Sequence, residues 1–189
     1  MKHAVIVSGG NIKYRFCLDF LKKNTDENTL LIAADRGLEF FERTGLVPDI
    51  AVGDFDSLSE SGKFLETLSN TEIIRLRPEK DDSDTQSAAC LAMDRGMKRI
   101  MILGATGNRV DHLMANFGLL VLGRERGCEI ILADPWNYMK LIESGTVLKR
   151  SEQFGKYVSF FSIGGDVPVL TLKGFKYPTE PSIYLTWHL

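Results

Sequence analysis

Cysteine and histidine are scarce, with three residues of each in 189. Cys17, Cys90 and Cys128 are odd in number, far apart and set in apolar-periodic stretches, so they read as free thiols of a reducing compartment and exclude a disulfide framework. His3, His112 and His188 have no ligand spacing with cysteine or with one another, which argues against zinc. Charge of one sign is lacking too: 23 Lys and Arg against 25 Asp and Glu leave a net −2, without the basic footprint that non-specific nucleic-acid binding needs. Long apolar runs are absent. None approaches the ~20 residues of a membrane span, and the run Ala4 to Val7 is too short for a signal-peptide core. A cytoplasmic protein, with neither membrane nor nucleic acid as partner, is the expectation.

What remains is 44% hydrophobic, 25% charged and 10% aromatic, the composition of a globular chain and not of a disordered or collagen-like one. Short β-rich apolar runs alternate with longer helical patterns over residues 1–135. Strands are expected at His3–Val7, Leu30–Ala33, Ile50–Val52, Ile73–Leu76, Ile100–Leu103 and Glu129–Ala133. Their hydrophobicity is continuous, which suits a parallel sheet covered on both faces. Helices are expected at Tyr14–Lys23, Gly37–Thr44, Ser59–Leu68, Asp84–Asp94 and Asp111–Arg126, the last with Leu113, Phe117, Leu120 and Val121 on its apolar face. Gly45, Gly96 and Gly127 sit where three of these patterns stop, as C-terminal caps. From Trp136 the pattern turns to β-rich runs at Tyr138–Ile142, Thr146–Lys149, Tyr157–Ile163, Val167–Leu172 and Ile183–Trp187. The expected fold is α/β: a doubly wound, mostly parallel N-terminal domain over 1–135, then a smaller all-β, sandwich-like domain over 136–189.

The carboxylates fall at carboxyl ends of the expected strands. Asp35 follows Ala34, Asp54 and Asp56 follow Val52-Gly53, and Asp111 lies in the glycine-rich loop after Leu103. In an open parallel sheet these ends share one edge, where ligands bind at the reversal of strand order. Lys80-Asp81-Asp82-Ser83-Asp84 adds more acids, although Ser83 and Asp84 are also what a helix N-terminus favours. Several carboxylates at one edge repel unless a cation neutralises them, and an oxygen-only set favours Mg²⁺ completed by water and substrate phosphates. That implies a nucleotide. Lys80, and Arg109 with its bidentate fork, are placed to meet phosphate. Ser8-Gly9-Gly10-Asn11 matches neither the dinucleotide fingerprint nor the Walker loop. His112 either orients Asp111 or caps the helix.

Taken together, Ala34-Asp35-Arg36-Gly37, Asp49 to Ser57 with its Gly53-Asp54-Phe55-Asp56-Ser57, Lys80 to Asp84, and Gly107-Asn108-Arg109-Val110-Asp111-His112 resemble the thiamine pyrophosphokinases in order and approximate spacing. Gly174 to Pro178 is similar to that family's approach to its last β segment. The resemblance implies an ATP-binding α/β domain, a C-terminal β-sandwich for thiamine binding and dimerisation, a homodimer, and transfer of pyrophosphate from ATP to the thiamine hydroxyl to give thiamine diphosphate and AMP. It implies Mg²⁺ on Asp54, Asp56 and Asp84, phosphate contacts from Lys80, Ser83 and Arg109, and Asp35 and Asp111 at the reacting centre. Trp187 resembles the family's stacking tryptophan, reaching thiamine across the dimer. Family members continue beyond this tryptophan, so a shortened C-terminal domain is expected where the sequence stops at Leu189. Two other readings of the same residues are a Mg²⁺-dependent phosphohydrolase with Asp54 and Asp56 as its nucleophile pair, and a nucleotide- or thiamine-binding module without turnover.

Overall fold

The computed structural model describes residues 2–55, 61–77, 82–163, 165 and 167–184. It divides the chain into two compact units, 1–154 and 155–189.

The first unit is a seven-stranded sheet between two helical layers. Its elements are β1 (His3–Val7), α1 (Tyr14–Asn24), β2 (Thr29–Ala34), α2 (Leu38–Thr44), β3 (Ile50–Gly53), α3 (Ser61–Thr67), β4 (Glu72–Arg75), α4 (Asp84–Asp94), β5 (Arg99–Leu103), α5 (Val110–Glu125), β6 (Glu129–Ala133) and β7 (Tyr138–Lys140). The order across the sheet is β4-β3-β2-β1-β5-β6-β7, parallel except for β7, which runs antiparallel to β6. Continuous apolar strands are buried twice over because alternate residues enter different cores. Val5 and Val7 pack with Cys17, Phe20 and Leu21 of α1 and with Phe40 and Phe41 of α2. Ala4 and Ile6 pack with Ala88, Ala89 and Ala92 of α4 and with Leu119 and Leu120 of α5. The small alanines of α4 let that helix lie close against the sheet.

Helix ends follow the expected chemistry. Past α4, Gly96 has φ 82, its N–H donates to Met93 O at 2.9 Å, and Met97 N–H donates to Ala92 O at 3.1 Å, a Schellman closure. Gly45 and Gly127 also have positive φ. Gly96→Ala leaves open space around the new methyl, so its cost is the left-handed backbone alone. We expect about 1–2 kcal/mol in urea unfolding, with catalytic rate per folded molecule unchanged.

Burial pushes the Cys17 thiol up to about 11, which suits a packing role. Cys90 and Cys128 are free as well.

Several expected elements differ. Tyr138–Lys140 pairs with β6 and so completes the first sheet, and the first unit extends to Phe154. The turn between them is held by Asp134, which is buried and accepts from Trp136 N–H at 2.8 Å and Asn137 N–H at 2.7 Å. Thr146–Lys149 is not a strand: Thr146 closes a turn, its N–H donating to Glu143 O at 3.1 Å, before a short 3₁₀ turn at Arg150–Glu152. Tyr157–Ile163 has strand-like composition but forms no ladder among the described residues, since β propensity is expressed only against a partner. The buried stripe of α5 is Asn116, Leu119, Leu120 and Gly123, with Leu113, Phe117 and Val121 only half-buried. The helix turns this way because Gly123 admits Ile130, whose Cγ1 lies 2.6 Å from where a Cβ would stand.

In the second unit β8 (Val167–Leu172) pairs antiparallel with β9 (Thr179–Tyr184), with register irregularities at Leu170. Phe160 and Phe175 meet edge to face, ring centroids 5.5 Å apart.

Candidate functional site at the carboxyl edge

Strand order reverses at β1, which has β2 on one side and β5 on the other. The chain leaving β1 and the chain leaving β5 run against each other there. Ser8 N–H donates to Leu103 O at 2.8 Å, Gly10 N–H to Gly104 O at 3.0 Å and Asn11 N–H to Thr106 O at 3.3 Å. Gly104 has φ 70, and a Cβ on it would sit 2.3 Å from Ser8 O, so glycine is the residue that permits this approach. From below, buried Asn116 of α5 donates its Nδ2 hydrogen to Ala105 O at 2.8 Å and holds the loop after β5 in place.

The N-terminus of α4 joins the same crevice. Ser83 caps it, its Oγ accepting from Gln86 N–H at 3.2 Å, and Asp84 occupies the first turn, where the dipole favours negative charge. Thr85 is buried and its hydroxyl lies 2.5 Å from that of Ser8 at the end of β1. This bond ties the start of α4, next to Asp84, to the end of the central strand β1.

Asp35 and Asp54 stand at the ends of the neighbouring strands β2 and β3. Asp35 has φ 46, and Phe55, directly after Asp54, has φ 60; they are the two non-glycine residues with positive φ among those described. Such conformations concentrate at functional sites.

After β5, Arg109 and Asp111 bracket the start of α5. Arg109 donates through Nε at 3.2 Å and Nη2 at 2.5 Å to the two carboxylate oxygens of Asp111. That hydrogen bond holds the Asp111 carboxyl below the usual carboxylate range and raises the guanidinium. Both side chains are about two-thirds exposed, so the pair is weak and a phosphate can compete for the arginine. The support it lends the fold is complete above the unfolded carboxyl's titration and is lost as pH falls through the depressed folded value. We expect Arg109→Gln to raise the Asp111 carboxyl toward the ordinary range, as followed by a carbon-13 NMR titration.

The structure thus brings Asp35, Asp54, Ser83, Asp84, Arg109 and Asp111 to one edge of the sheet. It does not bring three of the described carboxylates, histidines or cysteines to one point that could hold a metal. Asp56, Lys80 and Trp187 lie outside the described residues. Three anchors were not foreseen from sequence: Ser8–Thr85, Asn116 and the Phe55 turn. A polar Asn on the apolar side of α5 was the one available signal.

Reversal at β1, a glycine-rich loop after β5 and acids on the adjoining strand ends define a doubly wound α/β protein, a class that binds its ligands in the crevice at the carboxyl edge. Family models match it in two stretches: "Thiamin pyrophosphokinase, catalytic domain" over residues 21–132 and "Thiamin pyrophosphokinase, vitamin B1 binding domain" over residues 145–184. The chain belongs to the thiamine pyrophosphokinase family. It is 33% identical over 178 residues to thiamine pyrophosphokinase of Bacillus subtilis (strain 168), covering 94% of this chain and 82% of the relative. Among solved structures it is similar to thiamine pyrophosphokinase of Bacillus subtilis, with TM-score 0.85 and 31% identity over 98% of this chain and 86% of that one. The enzyme of Geobacillus thermodenitrificans gives TM-score 0.80 and 29% identity over 97% and 83%.

Proposed function

We infer that this protein transfers a pyrophosphoryl group from ATP to the hydroxyl of thiamine, giving thiamine diphosphate and AMP. Membership of the thiamine pyrophosphokinase family across both stretches is the observation that carries this reading. In the reaction the thiamine hydroxyl gives up its proton to solvent as its oxygen forms a bond to the β-phosphorus, the bond from that phosphorus to the α–β bridging oxygen breaks, and the bridging oxygen leaves with AMP. Little covalent chemistry falls to the protein. Its task is to align the hydroxyl and the leaving AMP and to offset charge on the phosphoryl oxygens.

In this reading ATP lies on the first unit, over the crevice between the loops after β1 and β5. Arg109, Lys80 and Ser83 contact phosphate, and Asp35 and Asp111 border the reacting hydroxyl. The donor set fits Mg²⁺: Asp54 and Asp84 offer oxygen only, and this ion takes one or two carboxylates and completes its shell with water and phosphate. Asp54, Asp56 and Asp84 are the residues that would hold it; when bound, Mg²⁺ supplies positive charge to the phosphoryl oxygens. The second unit takes thiamine, with Trp187 as the aromatic face for its cationic thiazolium and flat pyrimidine. A homodimer is part of this reading, supported by the exposed apolar side chains of Tyr157 and Phe161 in the second unit, which a second copy would cover. Three free thiols suit the reducing cytoplasm, where ATP is available.

The test is AMP release with ATP, thiamine and Mg²⁺ together and with each omitted in turn. AMP formed only in the complete mixture is the expected result. AMP formed equally without thiamine would overturn the reading.

A further inference from the structure

The hydroxyls of Ser8 and Thr85 meet nearer than packing would bring them. They lie 2.5 Å apart across 77 positions of sequence, and each residue is 7% exposed. An O–H···O bond spans roughly 2.5–3.0 Å, whereas a methyl in place of either hydroxyl would stand at about 3.5 Å. The hydrogen bond therefore holds the start of α4 about an ångström closer to β1 than apolar contact could. One partner cannot yield. Ser8 N–H donates to Leu103 O at 2.8 Å, and a Cβ on Gly37 would lie 3.2 Å from Ser8 N and one on Gly104 2.3 Å from Ser8 O, so the chain there is enclosed on the β2 and β5 sides. The other partner opens the buried face of α4, which continues through Ala88, Ala89 and Ala92 onto Ala4 and Ile6. Alanine methyls set how closely a helix lies on a sheet but, being short, hold it weakly against sliding along its axis.

Thr85 follows Asp84 and lies two residues beyond the cap Ser83, whose Oγ accepts from Gln86 N–H at 3.2 Å. A first turn bonded in this way moves as one piece. Shifting it from β1 would carry Ser83 and Asp84 away from the crevice between the loops after β1 and β5. We propose that Ser8 and Thr85 are positioning residues for the reaction: their bond sets the distance at which Ser83 meets phosphate and Asp84 meets the divalent cation. The inference rests on the pyrophosphotransferase reading above.

The test uses the full chain and three variants. Thr85→Val puts a methyl where the hydroxyl stood, Thr85→Ser keeps the hydroxyl, and Ser8→Ala combined with Thr85→Val removes both. AMP release is measured beside thermal unfolding and beside Mn²⁺ binding by electron paramagnetic resonance in the presence of α,β-methylene ATP, which cannot be cleaved at the reacting bond. We expect Thr85→Val to lower kcat by about tenfold to 10²-fold, the scale of a 1 Å misplacement, with the KM for thiamine unchanged. Its Mn²⁺ binding should weaken about tenfold, as for lost support of metal ligands. Thr85→Ser stays close to the parent. The double variant leaves no hydroxyl of the pair unpaired, so its unfolding temperature returns toward the parent's while its rate and Mn²⁺ affinity stay low. It decides the matter should Thr85→Val alone not fold. Rate and Mn²⁺ affinity that recover with stability in the double variant, or Thr85→Ser as impaired as Thr85→Val, overturn the inference and leave the pair a packing contact. Failure of both valine variants to fold does the same. Absence of AMP release from the parent would overturn the functional reading and this inference together; AMP release and Mn²⁺ affinity that the folded variants keep overturn this inference alone.

Discussion

Asp54→Asn is expected to lower the rate of AMP release by about 10²–10³-fold, the scale on which removing one electrostatic stabiliser of a developing charge is felt. The substitution keeps the shape of the side chain and one acceptor oxygen and removes the negative charge. Asp54 follows the last residue of β3 at the carboxyl edge and is half-buried, and the amide fills the same space as the carboxylate. Thermal unfolding should therefore stay close to the parent while catalysis collapses. Asp94→Asn is the matched control. Asp94 is an exposed acid at the far end of α4, paired with Arg126 across the surface, and such pairs contribute about 0–1 kcal/mol. Its rate should be that of the parent. If Asp54→Asn and Asp94→Asn behave alike, the carboxyl edge is not where the reaction occurs.

The second large effect is on stability. Phe40→Ala should cost about 3–5 kcal/mol in urea unfolding, the usual range for emptying a fully buried aromatic site. Phe40 is 0% exposed and lies edge to face with Phe41 at 5.4 Å, with Tyr14 of α1 at 5.8 Å. It belongs to the core between the sheet and α1 to α3, together with Val5, Val7 and Leu21. Neighbouring rings are fixed by two helices and the sheet, so the cavity cannot collapse. Val47→Ala, at a site 54% exposed, should cost no more than about 0.5 kcal/mol. Equal costs at the two positions would mean that the layer of α1 to α3 is not the packed core described.

Much of the first unit was legible because its strands carry two-sided burial in their composition. Glu129–Ala133 and Asp84–Asp94 have the expected bounds, and the glycines ending α2, α4 and α5 adopt the left-handed conformation expected of them. The edge placement of Asp35, Asp54, Asp84 and Asp111 followed from the parallel sheet alone. What was not legible depends on contacts between distant residues. The facing of α5 is decided by Gly123 meeting Ile130 and by Asn116 reaching Ala105 O, and no periodicity within the helix encodes either. Arg109 and Asp111 were expected to serve different parts of a substrate, yet two residues apart at a helix start they are close enough to pair with each other. β7 was assigned to the second domain because its composition is strand-like; only its pairing with β6 places it in the first sheet. The nucleophile-pair alternative loses its footing in the topology as well. Such a pair belongs after the first, central strand, and here β1 is followed by Ser8-Gly9-Gly10 while Asp54 follows β3, two strands away.

The most direct test is to supply ATP carrying oxygen-18 at the α–β bridge, with thiamine and Mg²⁺, and to follow the label by phosphorus-31 NMR. Attack at the β-phosphorus breaks that phosphorus's bond to the bridge, so the label should appear in AMP, with thiamine diphosphate unlabelled and formed in equal amount. Label retained in ADP, or released in inorganic phosphate or pyrophosphate, would contradict pyrophosphoryl transfer at this edge.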